Sequence, residues 1–371
     1  PPSFVFILAD DMGWTGTSVQ MDDEVLESKS DYYQTPNLEK LAQEGVRFTH
    51  AYAPSSLCTP TRAAILTGRT PAALHVTTPG GGQSQTPRKL QTPTPPIMKV
   101  AYRQTTIAEA LKEVGYATAH LGKWHLGRRG HPGEHGFDVH DGNTENDGPG
   151  HFEDPNPKDI FGITQRAIAF MRGQIQQKKP FYLHLSHYAV HLPTLAREST
   201  VETFDDVPRG TRHRDAAYAA MTCDLDTSIG TLLAEIEKLG IADNTYVVFM
   251  SDNGAPGGPR RRSENQPLAG GKSQLYEGGI RVPFIARGPG IPAGAICREA
   301  ITGCDLLPTF CEWARASFPE NVDGTSLVPL LTGKPDSFQR KEPSLLFHYP
   351  HYSLGSSVPQ SALVVGRYKI I

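Results

Sequence analysis

Short, almost continuous hydrophobic runs alternate along the chain with segments of helical periodicity. The runs that predict β-strands are residues 4–9, 117–121, 181–186, 246–251 and 283–286. They lack polar alternation, which is typical of strands buried on both faces of a parallel sheet. The pattern therefore predicts an α/β protein with a largely parallel sheet and helices on both of its faces.

Residues that favour helix ends bracket the segments of helical periodicity. A helix is predicted to begin at Thr35 and to stop at Gly45, and another begins where Thr106 and Glu109 form a capping box. A long helix is predicted over residues 214–239. These helices provide the cover that the predicted sheet requires.

One cysteine lies where a further helix is predicted to begin. Pro60 suits the first helical position and Gly68 the end, which places Cys58 at or just before the N-cap. A thiol there lies at the positive end of the helix dipole, which favours the thiolate. The pattern alone leaves two interpretations, a reactive cysteine or a small buried residue at a turn.

The composition limits the classes of partner. The chain has 371 residues, with Lys+Arg 36 against Asp+Glu 39, so no basic field favours nucleic acid or an anionic membrane. The first hydrophobic run is too short for a membrane span or a signal peptide. We expect any targeting segment to be missing from this chain, which begins at that strand.

The chain contains five cysteines and no CxxC spacing, which argues against a disulfide framework and a zinc site. Four of them are predicted to be packed thiols, with one disulfide among them left open: Cys223, Cys297, Cys304 and Cys311.

Oxygen ligands follow two of the predicted strands. Asp10 and Asp11 end the first strand, and Asp252 and Asn253 end the strand at 246–251. Adjacent acids can simply cap a turn, but two pairs at the ends of buried strands indicate a shared cation. Oxygen ligands without nearby His or Cys favour Ca²⁺ or Mg²⁺ over zinc.

Lysine and histidine residues also come shortly after predicted strands or after a glycine pair in the sequence. Singly, each is an ordinary loop residue, but together they predict a pocket for a tetrahedral oxyanion beside one helix N-terminus. The set comprises Arg62, Lys123, His125, His187, His191 and Lys272.

The motifs resemble those of the formylglycine-dependent type I sulfatases of the alkaline phosphatase-like superfamily. Residues 58–62 match the CxPxR signature, and residues 115–125 match the second signature, ending in GKWH. SDNG at 251–254, GGK at 270–272 and EGGIRVP at 277–283 are also similar. The resemblance covers nearly the whole chain. It implies a mixed, mostly parallel sheet and a small C-terminal subdomain.

The resemblance implies that Cys58 is oxidised before folding to Cα-formylglycine, with the flanking residues recognised by a formylglycine-generating enzyme. The hydrated aldehyde carries two hydroxyls, so one attacks sulfur and the other allows sulfate to leave by C–O cleavage. The resemblance also implies one Ca²⁺, bound by the modified Cys58 and by Asp10, Asp11, Asp252 and Asn253.

The resemblance implies a role for each remaining site residue. Arg62 and Lys123 position the diol, and His125 takes the proton that triggers release of sulfate. Lys272 neutralises sulfate charge, and His191 protonates the leaving sugar oxygen. His187 has no assigned role.

The predicted domains are a catalytic domain at residues 1–340 and the start of a small C-terminal subdomain at 341–371, which we expect to be cut short at Ile371. Residues 18–33 depart from the family pattern as an extended insertion. The stretch HYPHY at 348–352 either lines the pocket or packs as an aromatic strip.

The implied activity is hydrolysis of a sulfate ester of a sulfated saccharide. The alternatives are a phosphonate monoester or phosphodiester hydrolase of the same superfamily and a carbohydrate-binding relic without activity. The resemblance further implies a periplasmic or secreted protein, or a lysosomal one in a eukaryote. The sugar and the sulfated hydroxyl are not determined by the sequence.

Overall fold

The computed structural model describes six segments of the chain: residues 1–79, 104–127, 130–146, 154–257, 264–352 and 358–371.

The described residues form thirteen strands: β1 Ser3–Ala9, β2 Val46–Phe48, β3 Ala51–Tyr52, β4 Ala117–Gly122, β5 Val139–His140, β6 Phe181–Ser186, β7 Thr245–Ser251, β8 Phe284–Arg287, β9 Ala295–Cys297, β10 Ile301–Thr302, β11 Ser344–Tyr349, β12 Gln360–Val365 and β13 Tyr368–Ile370.

The same segments form ten α-helices: α1 Pro36–Gln43, α2 Cys58–Thr67, α3 Pro71–Leu74, α4 Ile107–Glu113, α5 Ile160–Gln176, α6 Glu198–Glu202, α7 Ala216–Lys238, α8 Glu277–Ile280, α9 Leu306–Ala314 and α10 Val328–Leu331.

Eight strands form the central sheet in the order β5-β4-β6-β1-β7-β8-β2-β9. The five strands β5, β4, β6, β1 and β7 run parallel to one another. β8 runs antiparallel to both β7 and β2. Consequently the carboxyl ends of β4, β6, β1 and β7 lie side by side at one edge, where ligands of α/β sheets gather.

Both faces of the sheet are buried. Successive side chains of β1 point to opposite faces, and each face packs against its own hydrophobic cluster. Phe4 and Phe6 belong to one hydrophobic cluster with α2, α4 and α9. Val5 and Ile7 belong to a second cluster with α1, α5 and α7. All four side chains are 0% exposed. The predicted α/β architecture with a mostly parallel, doubly covered sheet is therefore confirmed.

The predicted strands lie within one residue of the observed ones, and the capping box of α4 is present. The start of α2 was predicted two residues late, because Cys58 itself is the first helical residue and Leu57 is the N-cap. Gly68 ends α2 in the left-handed conformation, with φ 66°. α5 was not predicted.

The last three strands form a separate antiparallel sheet in the order β11-β12-β13. Its inner face, which includes Phe347 and Tyr349, forms a third cluster with Leu57 and Leu275. Part of the HYPHY stretch thus packs as an aromatic strip. This sheet accounts for the small C-terminal unit, while the division at residue 340 stays a prediction.

All five cysteines are free, so the disulfide left open by the sequence is absent. Among the described residues, no helix is both long and hydrophobic enough to cross a membrane.

Candidate active site

The register of the two central strands brings the predicted oxygen ligands together. β1 pairs in parallel with β7, and Ala9 lies opposite Ser251. The acids that follow each strand therefore leave the sheet at the same level. The backbone N–H of Asp11 donates to Asp252 Oδ1 at 3.1 Å, and Asn253 Nδ2 donates to Asp11 Oδ1 at 2.7 Å.

These oxygen ligands fit a hard divalent cation. Ligand atoms of Asp10, Cys58 and Asp252 all lie within 4.8 Å of one another, and so do those of Asp10, Asp11 and His191. Asp10 Oδ1 and Asn253 Oδ1 are buried without a hydrogen-bond partner among the described residues. Unpartnered buried oxygens are costly, and a cation between the two strand ends would satisfy them.

Arg62 joins the second turn of α2 to the acids. It lies four residues after Cys58, on the same side of the helix. Its Nη2 is 2.7 Å from Asp252 Oδ2, and its Nη1 donates to the carbonyl of Lys123 at 2.8 Å. Arg62 Nη1 also contacts Ser186 Oγ. This buried guanidinium therefore connects α2 with the ends of β4, β6 and β7.

Two lysines complete the ring of charges. Lys123 follows β4, is 0% exposed, and places Nζ 2.5 Å from Asp10 Oδ2. Lys272 lies in the connection between β7 and α8, and its Nζ is 2.6 Å from Asp11 Oδ1. Each lysine thus pairs with a different carboxylate. Both lie at the edge of the sheet where Cys58 begins α2.

Burial and neighbouring cations act in opposite directions on the carboxylates. Burial raises the pKa of Asp10, but the charges of Lys123, His191 and Arg62 outweigh it and hold that pKa below its usual range. Burial and the nearby Asp10 carboxylate raise the pKa of Asp252 to about 7. A cation held between Asp10 and Asp252 would stabilise both carboxylates in their charged form.

The environment of Cys58 is unfavourable for a thiolate. The side chain is 3% exposed, and its burial raises the pKa of the thiol despite the nearby Lys123 and Lys272. The helix dipole that the sequence suggested as an activator is thus outweighed by desolvation. An unmodified thiol is a poor nucleophile here, whereas the position remains surrounded by groups suited to an anion.

His125 lies at the turn after β4, held through its backbone. Its N–H donates to the carbonyl of Thr144 at 2.8 Å, and its own carbonyl accepts from Thr59 Oγ1 at 2.8 Å. Burial and the charges of Lys123 and Arg62 lower the pKa of its ring to about 2. The imidazole is therefore neutral at ordinary pH, with a lone pair on one of its two ring nitrogens.

The two histidines after β6 differ in position. His191 Nε2 is 3.7 Å from Asp11 Oδ2, and its Nδ1 is 2.6 Å from the carbonyl oxygen of Leu192. His187 is buried, which lowers its pKa to about 4, and its charged neighbours are Asp159 and Arg166. The structure thus brings His191, but not His187, to the acids.

Sequence reasoning missed several residues that support this site. Ser186 Oγ donates to the carbonyl of Lys123 at 2.6 Å, and Thr144 Oγ1 donates to that of Gly122 at 2.6 Å. Glu145 Oε2 is 3.5 Å from His125 Nε2. Ser186 could have been found as the last residue of a predicted strand. The other two lie in a segment without periodicity.

Comparison with known proteins identifies the family. The family model described as Sulfatase matches residues 2–316. A second model, described as N-sulphoglucosamine sulphohydrolase, C-terminal, matches residues 271–371. N-acetylgalactosamine-6-sulfatase of Canis lupus familiaris is 31% identical over 369 residues, covering 90% of this chain and 66% of that protein. Arylsulfatase A of Homo sapiens is 33% identical, covering 95% and 71%.

Solved structures share the fold. Ps i-CgsB in complex with k-i-k-neocarrahexaose has a TM-score of 0.79 and 25% identity, covering 99% of this chain and 83% of its own. The phosphonate monoester hydrolase of Agrobacterium radiobacter has a TM-score of 0.71 at 18% identity, covering 100% and 86%. The chain spans slightly less than two thirds of the length of several curated relatives, 66% for the canine protein. Since one family model covers well over half of its residues, the chain belongs to the sulfatase family.

Proposed function

We propose that this protein is a sulfuric ester hydrolase that removes sulfate from a sulfated carbohydrate. The observation that carries the proposal is the convergence of Arg62, Lys123 and Lys272 on the acids beside the N-terminus of α2, where Cys58 lies. Such a concentration of cations suits a sulfate group whose charge must be held during transfer.

The named relatives support a carbohydrate substrate. One curated relative carries the name N-acetylgalactosamine-6-sulfatase, which names a sulfated sugar. The structure of Ps i-CgsB contains an oligosaccharide, k-i-k-neocarrahexaose. A sulfated saccharide is therefore the substrate class that we assign.

The proposal includes oxidation of Cys58 to formylglycine and one bound Ca²⁺. The hydrated aldehyde would supply two hydroxyls on one carbon, and the cation would act as a Lewis acid for the sulfate. Asp10, Asp11, Asp252 and Asn253 are the residues that would hold the cation. Because Cys58 is 3% exposed, a formylglycine-generating enzyme would have to act before folding.

Each remaining side chain has a defined task in this proposal. Arg62 and Lys123, which are anchored by Asp252 and Asp10, orient the modified residue. Lys272 lies at a part-exposed position, where it binds a sulfate oxygen. His125 accepts a proton from the modified residue, and His191 donates one to the leaving sugar oxygen.

The modification is tested by peptide mass spectrometry of the segment around Cys58 in protein purified from its native host. We expect formylglycine there, and active protein that carries only unmodified cysteine would contradict the proposal. The matched variant Cys58→Ser should bind substrate without turnover, because serine has a single hydroxyl and cannot expel sulfate by C–O cleavage. Steady turnover by this variant at the wild-type rate would also exclude the mechanism.

The reaction class is tested by a panel of matched aryl esters together with sulfated sugars. We expect the sulfate esters to be hydrolysed with the highest kcat/KM. A preference for aryl phosphonate or phosphodiester substrates would instead support the alternative hydrolase. If fully modified protein binds the saccharide but does not hydrolyse it, the result would support the alternative of an inactive, carbohydrate-binding member of the family.

A further inference from the structure

The turn that carries Lys123 and His125 is fixed by a second segment, residues 141–145. Asp141 Oδ2 accepts the backbone N–H of Gly122 at 2.7 Å. Thr144 Oγ1 donates to the Gly122 carbonyl at 2.6 Å and accepts the Trp124 N–H at 2.8 Å. The Thr144 carbonyl accepts the N–H of His125. Four hydrogen bonds thus hold the two segments in one arrangement.

His125 adopts a backbone conformation that needs this support. Its φ is 54°, in the left-handed region that residues other than glycine seldom occupy. The hydrogen bonds from its N–H to Thr144 and from Thr59 to its carbonyl oppose relaxation of the turn. The backbone of His125 therefore has a defined position relative to the residue that follows Thr144.

That residue is Glu145, whose carboxylate faces one nitrogen of the ring. Glu145 Oε2 is 3.5 Å from His125 Nε2. The other nitrogen, Nδ1, is buried and has no hydrogen-bond partner among the described residues. The distance is long for a hydrogen bond, and such contacts commonly shorten when substrate binds. The two ring nitrogens therefore have different surroundings.

We propose that Glu145 is a positioning residue for His125, selecting the tautomer that is protonated at Nε2. A carboxylate accepts hydrogen bonds only, so it favours Nε2–H and leaves the lone pair on Nδ1. On the modified residue the O–H bond would break and its proton would form an N–H bond at Nδ1. The electron pair of that O–H bond would form the C=O bond of the aldehyde, while the C–O bond to sulfate breaks and sulfate departs. The resulting imidazolium keeps its Nε2–H directed at the negative charge of Glu145. This inference rests on the proposed function, in which His125 accepts that proton.

The first experiment measures the tautomer and needs no activity. Long-range ¹H–¹⁵N spectra are recorded on metal-free protein with unmodified Cys58 and ¹⁵N-labelled histidine, and His125→Ala identifies the signals of His125. We expect His125 to be protonated at Nε2 in the wild type and to lose this preference in Glu145→Ala. The control Glu202→Gln, at an exposed position in α6, should leave the signals unchanged. The same tautomer in wild type and Glu145→Ala would overturn the proposal.

The second experiment measures kcat and KM for a sulfated sugar, with the formylglycine content of each sample determined. We expect Glu145→Gln to lower kcat by about tenfold or more with little change in KM, and Glu145→Asp to recover part of the loss. A kcat near the wild-type value in Glu145→Gln, or equal losses in the Asp and Gln variants, would overturn the role. If wild type hydrolyses no sulfate ester, the proposed function fails, and the tautomer measurement still decides the role of Glu145.

Discussion

Arg62 Nη2 lies 2.7 Å from Asp252 Oδ2, and the two side chains are 3% and 0% exposed. The pair joins the second turn of α2 to the end of β7, and the two residues are 190 positions apart in the sequence. Arg62 Nε donates a second hydrogen bond to the same oxygen at 3.1 Å. The two hydrogen bonds together fix the orientation of the guanidinium plane relative to the carboxylate, as well as the distance between the two groups.

We predict that Arg62→Met lowers the free energy of unfolding by about 3–5 kcal/mol, because it leaves the Asp252 carboxylate buried without its partner. Urea unfolding of chelator-treated protein measures this change. The control is Lys112→Met, which removes an ion pair of 2.5 Å with Asp138 in which both side chains are exposed, at 49% and 37%. Little change is expected there, and equal losses in the two variants would show that burial of the Arg62 pair is unimportant.

Calcium should stabilise the folded protein. The carboxylates of Asp10, Asp11 and Asp252 lie close together at the ends of β1 and β7, and a bound cation would offset their mutual repulsion. We expect the Tm of chelator-treated protein to rise when Ca²⁺ is added, by an amount equivalent to about 2.7 kcal/mol at one hundred times Kd. Calorimetric titration with Ca²⁺ and Mg²⁺ gives the affinities and the preference. Asn253→Ala should weaken binding, whereas Asp206→Asn, at an exposed position, should not. Unchanged affinity in Asn253→Ala would argue against this site.

His191→Ala should affect poor leaving groups most, because a sugar hydroxyl needs a proton and an activated aryl oxide departs without one. We expect kcat for a sulfated sugar to fall about 10²- to 10⁴-fold and kcat for an activated aryl sulfate to fall much less. The control is His348→Ala on the exposed side of β11. Equal losses for both substrates would remove His191 from the role of general acid.

Asp31, in the segment predicted as an insertion, should make stability depend on pH. It accepts the backbone N–H groups of Thr211, Arg212 and His213 at 2.7–3.1 Å. Burial alone would raise its pKa, but these hydrogen bonds hold the pKa of its carboxyl well below 3.8. The charged form is thus favoured in the folded state, so its contribution is present above about pH 4 and is lost as pH falls further.

The corresponding variant is Asp31→Asn, measured by urea unfolding between neutral and acidic pH. We expect it to lower the free energy of unfolding by about 2 kcal/mol at neutral pH, with the difference from wild type shrinking in acid. Asp206→Asn serves as the control because it lacks these contacts. A difference that stays constant down to the most acidic pH would contradict the assignment to Asp31.

Much of the architecture was predictable because it depends on local patterns. The hydrophobic runs marked β1, β4, β6 and β7 to within one residue, and the capping box of α4 is a local exchange between Thr106 and Glu109. α5 escaped prediction, although its buried residues recur at helical spacing. Its first turn follows an irregular segment in which Lys158 and Asp159 have positive φ, so no standard start signal precedes it.

The sequence by itself determined the residue types of the site, since the acids follow β1 and β7, and Cys58 begins α2. Only the tertiary structure decided their surroundings. The burial that raises the pKa of Cys58, the pairing of Lys123 with Asp10, and the approach of Glu145 to His125 all require distant segments to meet. Strand ends can be recognised from local periodicity, whereas desolvation and the partner of a charge depend on which segments pack together.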